Sequence, residues 1–427
     1  MAASGEDART WYDLTLSERK EHPSLSGTHD ADVCVIGGGL AGLNVAFSLV
    51  ERGKRTILIE SRTLGGRASG RNAGLVVKGY AAENEELAGK AGLESARKLL
   101  RLSKNAQGLI RRRIAGYKID CGPIVDGMLM ASRRNNAQKL RESVSRANDD
   151  FDAALEFWPQ EKVRELCKTP RYYDGIFSPG DFQIHPLKYL QGLARVIAEK
   201  GGLIFEQSPA LKIERHGMGW RVKTPQGEIN AQHVVLCCSA YVDRLDCRLD
   251  CAIVPVQTYM MVTQPVARDV LRNSINTNHF LLDTRFITDY YRVLPDDRIM
   301  WGGRVGLWAQ PRDIAALMMG DMLKIYPQLE GHVKPDMAWS GVMSFAPHRM
   351  PQIGQREPGY WYCTAFGGHG LCPTTMGGEI IAAAIAQEDE TYKEFARFGL
   401  GFSGGRMSRY AAQMVYLGWR TRDALGL

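Results

Sequence analysis

Three glycines and one carboxylate make the strongest chemical pattern in the 427-residue chain. Gly37, Gly39 and Gly42 have G-x-G-x-x-G spacing, directly after the apolar run Asp32-Val33-Cys34-Val35-Ile36 and at the head of a helical run to Arg52-Gly53. The first glycine permits a tight turn, the second lets backbone N–H groups approach a diphosphate, and the third packs helix on strand. The helix N-terminus itself favours an anion. A second strand, Thr56-Ile57-Leu58-Ile59, ends in Glu60, about 20 residues past the turn, where a carboxylate accepts hydrogen bonds from both ribose hydroxyls of an adenosine and disfavours a 2′-phosphate. A glycine turn alone often serves only strand-helix packing. The full series of strand, turn, helix, strand and acid predicts a bound dinucleotide, without separating FAD from NAD.

The elements that must hold this pattern follow along the chain. Leu64 to Gly74 is glycine-rich and reads as an irregular loop lining the cofactor, since it starts directly after the ribose position. Apolar residues among charges predict helix from Glu83 to Tyr117 and from Asn136 to Leu166, with two strands around a turn between Ile119 and Ala131. Ile184-His185-Pro186 leads into a helix from Leu187 to Lys200, stopped by Gly201-Gly202. Short strands over 203–206, 210–215 and 220–224 precede a hairpin through Pro225-Gln226-Gly227. His233-Val234-Val235-Leu236-Cys237 has the uniform hydrophobicity of a buried parallel strand, and is expected to rejoin the sheet begun at Asp32. Residues 252 to 345 read as strands, including 254–263, 286–294 and 298–305, broken by a helix over 313–326. The chain returns with a strand over 359–365, the turn Phe366-Gly367-Gly368-His369-Gly370 and a helix over 376–387.

The fold class expected is α/β, α+β overall: a Rossmann-like nucleotide domain, discontinuous in sequence, with a mixed or antiparallel-sheet substrate domain. The divisions are a polar arm over 1–29 with Trp11, Tyr12 and Leu25 as anchors, nucleotide-domain segments over 30–115, 183–245 and 346–400, and substrate-domain segments over 116–182 and 246–345. A basic amphipathic helix is expected over 401–427. At this length two intertwined domains have room for real cores.

Composition narrows the function. The net charge of +7 is modest and basic residues are scattered apart from Arg111-Arg112-Arg113, expected on the solvated face of a helix, so nucleic-acid binding is not expected. A mild positive field suits an anionic cofactor and a substrate bearing a carboxylate. No apolar run approaches the roughly 20 residues of a membrane helix, and residues 1–30 lack a secretory apolar core, so a cytoplasmic protein is expected. Nine cysteines without a C-x-x-C pair read as buried reduced thiols, with no structural metal.

The nucleotide fingerprint, the loop after Glu60, the buried mid-chain strand, the antiparallel block and the Gly-x-x-Gly-His-Gly-like turn together resemble the FAD-dependent D-amino-acid oxidase and sarcosine oxidase superfamily over nearly the whole chain. Ala68-Ser69-Gly70-Arg71-Asn72, Asp289-Tyr290-Tyr291-Arg292, Arg349-Met350-Pro351-Gln352-Ile353-Gly354 and Gly367-Gly368-His369-Gly370 look most like the branch holding gamma-glutamylputrescine oxidase and bacterial L-pipecolate oxidase.

The resemblance implies extended FAD. Its ADP half would lie on Gly37, Gly39, Leu40, Ala41, Gly42, Glu60 and Ser61, and its flavin between Ala68, Ser69, Arg71, Asn72, Ala73, Gly74 and the turn Gly368, His369, Gly370, Leu371, with Leu211 also in contact. A helix starting near Pro373 would aim its positive end at the flavin N1 and O2 edge. The reaction implied is hydride transfer from the carbon beside an amine nitrogen to flavin N5, giving an imine that water hydrolyses. A small amine or amino acid is the implied substrate, and oxygen, reduced to hydrogen peroxide, the acceptor. By comparison with sarcosine oxidases Tyr291 matches the tyrosine facing the substrate; a core tyrosine is the equal alternative. His369 is a candidate base or flavin-contacting residue, and Arg349 a candidate carboxylate anchor or a structural arginine. The departures are specific: Cys372 stands where sarcosine oxidases carry a carboxylate-gripping lysine, and their oxygen-activating lysine falls near Gly302-Gly303, with Arg304 the nearest cation. A dehydrogenase with another acceptor, or a flavin-binding partner without turnover, are therefore the rival readings. The loop after Glu60 has no histidine and Ser340 to Pro347 no cysteine, so non-covalent FAD is implied. A homo-oligomer is compatible with all of this.

Overall fold

The computed structural model describes residues 5–285, 288–306, 311–405 and 418. Two sheets organise them. The first runs in the order Gln352–Glu357, Tyr360–Thr364, Gly227–Leu236, Gly27–Ile36, Thr56–Ile59, Leu203–Phe205. Its central strands are parallel: Gly27–Ile36 pairs with Thr56–Ile59 on one side and Gly227–Leu236 on the other. Val33, Val35, Val234, Val235 and Leu236 are fully buried, as strands covered on both faces require. The predicted return of the mid-chain strand to the nucleotide sheet is therefore observed. It is also longer than predicted, since the hairpin arm and the buried run form one strand, Gly227–Leu236, whose first half pairs with Gly219–Lys223.

The helices Leu40–Glu51, Leu93–Gly116, Pro186–Glu199 and Leu371–Ile385 share one core with this sheet. Leu40–Glu51 and Leu371–Ile385 cross so closely that a Cβ on Gly378 would lie 2.5 Å from the Asn44 backbone. Arg113 sits at this crossing, 3% exposed, donating to Asn44 Oδ1 at 2.6 Å and Ser48 Oγ at 2.8 Å and pairing with Glu379. This corrects the solvated-face reading of the arginine triplet: Arg112 is exposed, but Arg113 lies inside.

The second sheet is mixed, in the order Pro335–Phe345, Val254–Thr263, Ile299–Gly306, Tyr290–Val293, Phe280–Asp283, Val125–Ala131, Gly175–Gln183, Leu75–Val76. One face packs on the helix Ile314–Ile325 around Tyr291, Trp301, Tyr172 and Tyr326. The other packs on Trp11, Tyr12 and Leu187 through Met260, Met300 and Trp339.

Four local expectations fail. The helix expected over 83–117 is two, Asn84–Ala91 and Leu93–Gly116, broken at Gly92 with φ +83°. The stretch 136–166 is not one helix: Ala137–Phe151 ends at Asp152 in the left-handed conformation, a strand Glu156–Trp158 follows, and Gln160–Leu166 is a separate helix. Between Ile119 and Ala131 only Val125–Ala131 is a strand. The loop after Glu60 contains a helical turn, Ala68–Arg71, closed by Asn72, whose Nδ2 donates to Ser69 O at 2.7 Å and whose Oδ1 accepts from Gly74 N at 2.8 Å. Trp11, Tyr12 and Leu25 anchor the arm as expected, all buried. The expected C-terminal helix lies almost entirely outside the described residues. Six of the nine cysteines are buried, and Cys247 is exposed. Among the described residues no helix is long and apolar enough to cross a membrane.

Candidate active site

The cradle is built by steric necessity at two glycines. Gly37 has φ +113°, and a Cβ there would lie 2.7 Å from Cys237 O, because the neighbouring strand ends beside the turn. A Cβ on Gly42 would lie 1.9 Å from Gly37 O, so the helix rests directly on the turn. Its cap, Gly39, offers no side-chain acceptor, and the Leu40 N–H is met by Ser69 Oγ at 2.9 Å. Glu60 ends the second strand facing this turn, accepting from Gly38 N at 2.6 Å and Arg62 N at 2.8 Å. A carboxylate, a helix N-terminus whose cap residue brings no side-chain acceptor, and backbone free of Cβ atoms thus meet at one edge, a donor and acceptor set that fits an adenosine diphosphate.

A single cavity of about 1050 Å³ runs from this edge to the second sheet, at the top of the range for ordinary ligand pockets. Gly37, Gly39, Leu40, Ala41, Glu60, Ser61, Ala68, Ser69, Arg71, Asn72, Ala73, Leu211, Gly368, His369, Gly370 and Leu371 all line it. Two of the predicted cofactor-binding residues do not. Gly42 acts from behind as the packing glycine, and Gly74, at φ +77° with its missing Cβ 2.2 Å from Ile184 O, seats the loop on the adjacent segment. Leu211 stands at the rim, 61% exposed. The two terminal nitrogens of Arg71 donate to the carbonyls of Gly5, Glu6 and Ala8.

At the far end, Met128, Met130, Met260, Phe280 and Leu282 make an apolar wall. The turn Gly367–Gly370 closes the other side, and space beside Gly368 and Gly370 is empty of protein atoms within 4 Å. The helix after it starts at Leu371, earlier than predicted, so its N-terminus faces the cavity directly. His369 Nδ1 is buried without a partner, and burial lowers its pKa to about 4. It is a neutral imidazole at physiological pH.

Side chains over 289–292 alternate between the two faces of the strand, and the face towards the cavity carries Tyr290, not Tyr291. Tyr291 is 1% exposed; its hydroxyl lies 2.7 Å from Tyr326 OH and 3.1 Å from Tyr172 OH, and its ring stacks on Trp301 at 4.2 Å. Tyr290 lines the cavity instead, its hydroxyl 3.2 Å from Thr258 Oγ1. Arg349 is likewise absent from the lining: it pairs with Glu86 at 2.9 Å on the outside of the turn. Both candidate roles at the substrate are withdrawn on geometry, since neither side chain reaches the cavity.

Sequence reasoning missed Tyr290 and Lys78. Lys78 is the one lysine lining the cavity among the described residues; its Nζ lies 3.0 Å from Ser178 Oγ and 3.8 Å from the buried Asp181, which also accepts from Gln107 Nε2 at 2.7 Å. Its signal was its place at the end of the apolar run Leu75-Val76-Val77, directly after the cofactor loop. Cys372 is fully buried off the cavity. Arg304 lines it but is paired with Asp321.

Comparison with known proteins agrees with this geometry. The profile of the DAO family, FAD dependent oxidoreductase, matches residues 32–384. The chain is 31% identical to the probable oxidoreductase OrdL of Haemophilus influenzae, covering 96% of each. It is 30% identical to the gamma-glutamylputrescine oxidoreductase of Escherichia coli, over 99% of this chain and all of the relative. Among solved structures, glycine oxidase from Bacillus cereus superposes with TM-score 0.71 at 18% identity, covering 85% of this chain and 97% of the other. L-proline dehydrogenase from P. horikoshii superposes with TM-score 0.69 at 19% identity, covering 92% and 99%. With the matching profile, the full-length relatives and a cavity that begins at a dinucleotide cradle, the chain belongs to the DAO family of FAD-dependent oxidoreductases.

Proposed function

We propose that the protein oxidises an amine or secondary amino acid, of the gamma-glutamylputrescine or pipecolate type, with oxygen as acceptor and hydrogen peroxide as product. One observation carries the reading: a single cavity joins the Gly37–Glu60 cradle to an apolar chamber bounded by Tyr290, Met260 and the His369 turn. Bound non-covalently along that cradle, FAD would supply the hydride acceptor. The Leu40 helix N-terminus and Glu60 would hold its diphosphate and ribose, and the Leu371 helix N-terminus would face the ring system.

The chain's own groups then define how substrate binds. The methionine and phenylalanine wall excludes water and disfavours a charged ammonium, so the amine binds as the free base. His369, neutral with a pKa of about 4, lies about six pH units below an alkylammonium and cannot deprotonate one. It offers a hydrogen bond and orients the substrate. The Tyr290 hydroxyl, pushed up to about 12 by burial, stays protonated and donates or accepts beside Thr258.

Anaerobic mixing with gamma-glutamylputrescine, pipecolate, proline, sarcosine and simple diamines tests the proposal. Bleaching of the visible flavin band by gamma-glutamylputrescine or pipecolate, with peroxide formed on admitting air, is expected. Bleaching only by sarcosine overturns the substrate class. Bleaching without peroxide overturns oxygen as acceptor and leaves a dehydrogenase.

A further inference from the structure

The arm preceding the nucleotide fold crosses the mouth of the cavity at its diphosphate end. Gly5 O accepts from Ser340 N of the second sheet at 3.3 Å and from Arg71 at 3.1 Å, and Ala8 O from Arg71 at 2.6 Å. Glu6 is set between the two walls: one carboxylate oxygen pairs with Arg67 at 2.9 Å, the other accepts from Tyr241 OH at 2.6 Å. Asp7 pairs with Arg62 at 2.8 Å. Arg62, Arg67 and Tyr241 all line the cavity beside Gly37, Glu60 and Ser61, and the Arg62 N–H is itself bonded to Glu60. Beyond the crossing, a capped turn plants Trp11 and Tyr12 in the second sheet, Trp11 Nε1 bonding Asp296 at 3.0 Å and Tyr12 OH meeting Arg292 at 3.1 Å. The arm is thus fixed at its far end and latched at the mouth by acid-to-cation contacts.

We propose that residues Gly5 to Ala8 are a cofactor clasp, with Glu6 as its latch: bound dinucleotide leaves only when Glu6 parts from Arg67 and Tyr241. The exposed Asp7–Arg62 pair contributes little, as solvent screens it; Glu6 is half-buried and bonded on both oxygens. The same guanidinium groups, once released, stand at the open mouth beside the helix N-terminus and attract the incoming diphosphate. The proposal rests on the cradle reading of Gly37 to Glu60.

The test is the rate of flavin release from holoprotein, followed by the rise of free FAD fluorescence on dilution, for wild type, Glu6→Ala, Tyr241→Phe and the double variant. Release is expected to be at least about tenfold faster in Glu6→Ala, which breaks two charge-assisted contacts, and intermediate in Tyr241→Phe, which breaks one of them. The double variant should match Glu6→Ala, since that substitution already removes the bond lost in Tyr241→Phe. Raising salt should speed release in wild type and not in Glu6→Ala. The apoproteins should share one unfolding midpoint. Wild-type release from Glu6→Ala overturns the clasp, as does a fall in apoprotein stability that accounts for the change. Glu60→Ala separates the two readings: faster release there with none in Glu6→Ala sinks the clasp alone, whereas an unaffected Glu60→Ala sinks the cradle.

Discussion

Replacing Gly42 by alanine tests the cradle at its most constrained point. The added Cβ would stand 1.9 Å from Gly37 O, 3.1 Å from Gly37 C and 3.4 Å from Val35 Cγ1, and neither partner has room to retreat. Gly37 is held by its N–H to Ile59 O at 2.8 Å and by Cys237 O behind it. The helix is held by the crossing at Gly378, where even a Cβ would lie 2.5 Å from the Asn44 backbone. Relief must come from lifting the helix N-terminus off the turn, an overpacking strain of about 1–3 kcal/mol. The lift strains the Leu40 N–H bond to Ser69 Oγ and moves the helix N-terminus away from the cradle, so flavin occupancy should fall together with stability. Urea unfolding of the apoprotein and flavin content after dialysis read the two effects. Gly370→Ala, placed where no protein atom lies within 4 Å, should leave the apoprotein midpoint unchanged. A Gly42→Ala protein with wild-type midpoint and full flavin would refute the packing of helix on turn.

The two adjacent tyrosines should separate cleanly: Tyr291→Phe, which removes a hydroxyl bonded only within the core, is expected to cost about 1 kcal/mol of stability and leave the anaerobic rate of flavin reduction unchanged. Tyr290→Phe should slow that reduction with little loss of stability, and the reverse pattern would return Tyr291 to the cavity. His185 and His369 are both held neutral by burial, at pKa values of about 4 against an ordinary 6.5. Below pH 6.5 the unfolded chain takes up protons that the folded chain refuses, so stability is lost as pH falls from about 6.5 to about 4. For His185, 6% exposed and bonded through Nδ1 to Lys188 N–H, the loss is at most about 3 kcal/mol. His185→Asn, which keeps a helix cap, should flatten the slope of urea midpoint against pH in this window; an unchanged slope would show that the imidazole is accessible to protons.

What the sequence made legible was local. Asp32 to Glu60 could be read because every step of it, apolar run, glycine turn, helix and acid, is set by neighbours within a few residues. The buried strand near Val235 could be read because burial on both faces leaves uniform hydrophobicity. The break near Asp152 could not, because Asp152 and Ala154 both take positive φ without glycine, and the charged-apolar pattern runs on through them. The arm's crossing was equally hidden: nothing in Glu6 names Arg67 or Tyr241 as partners, since these contacts join segments far apart in the chain.

The misassigned tyrosine shows where periodicity stops. A strand's alternation divides Tyr290 from Tyr291 but does not say which face looks at the cavity. The partner strand decides it. Tyr290 lies opposite Gly302 and Tyr291 opposite Trp301, and a Cβ on Gly302 would fall 2.1 Å from the Tyr290 ring and 2.4 Å from Met260 Sδ. The glycine therefore clears space for the Tyr290 ring on the cavity face, while Trp301 gives Tyr291 an aromatic partner on the core face, where large stacked rings belong. Trp301-Gly302-Gly303 already carries this asymmetry in the sequence: large then small, one residue apart, on a strand paired with two tyrosines. Comparison with sarcosine oxidases reads those glycines only as a missing lysine. Packing gives them a positive role, as the notch that admits the tyrosine to the chamber, and it makes the absence of a lysine there a consequence of the ring that occupies its space.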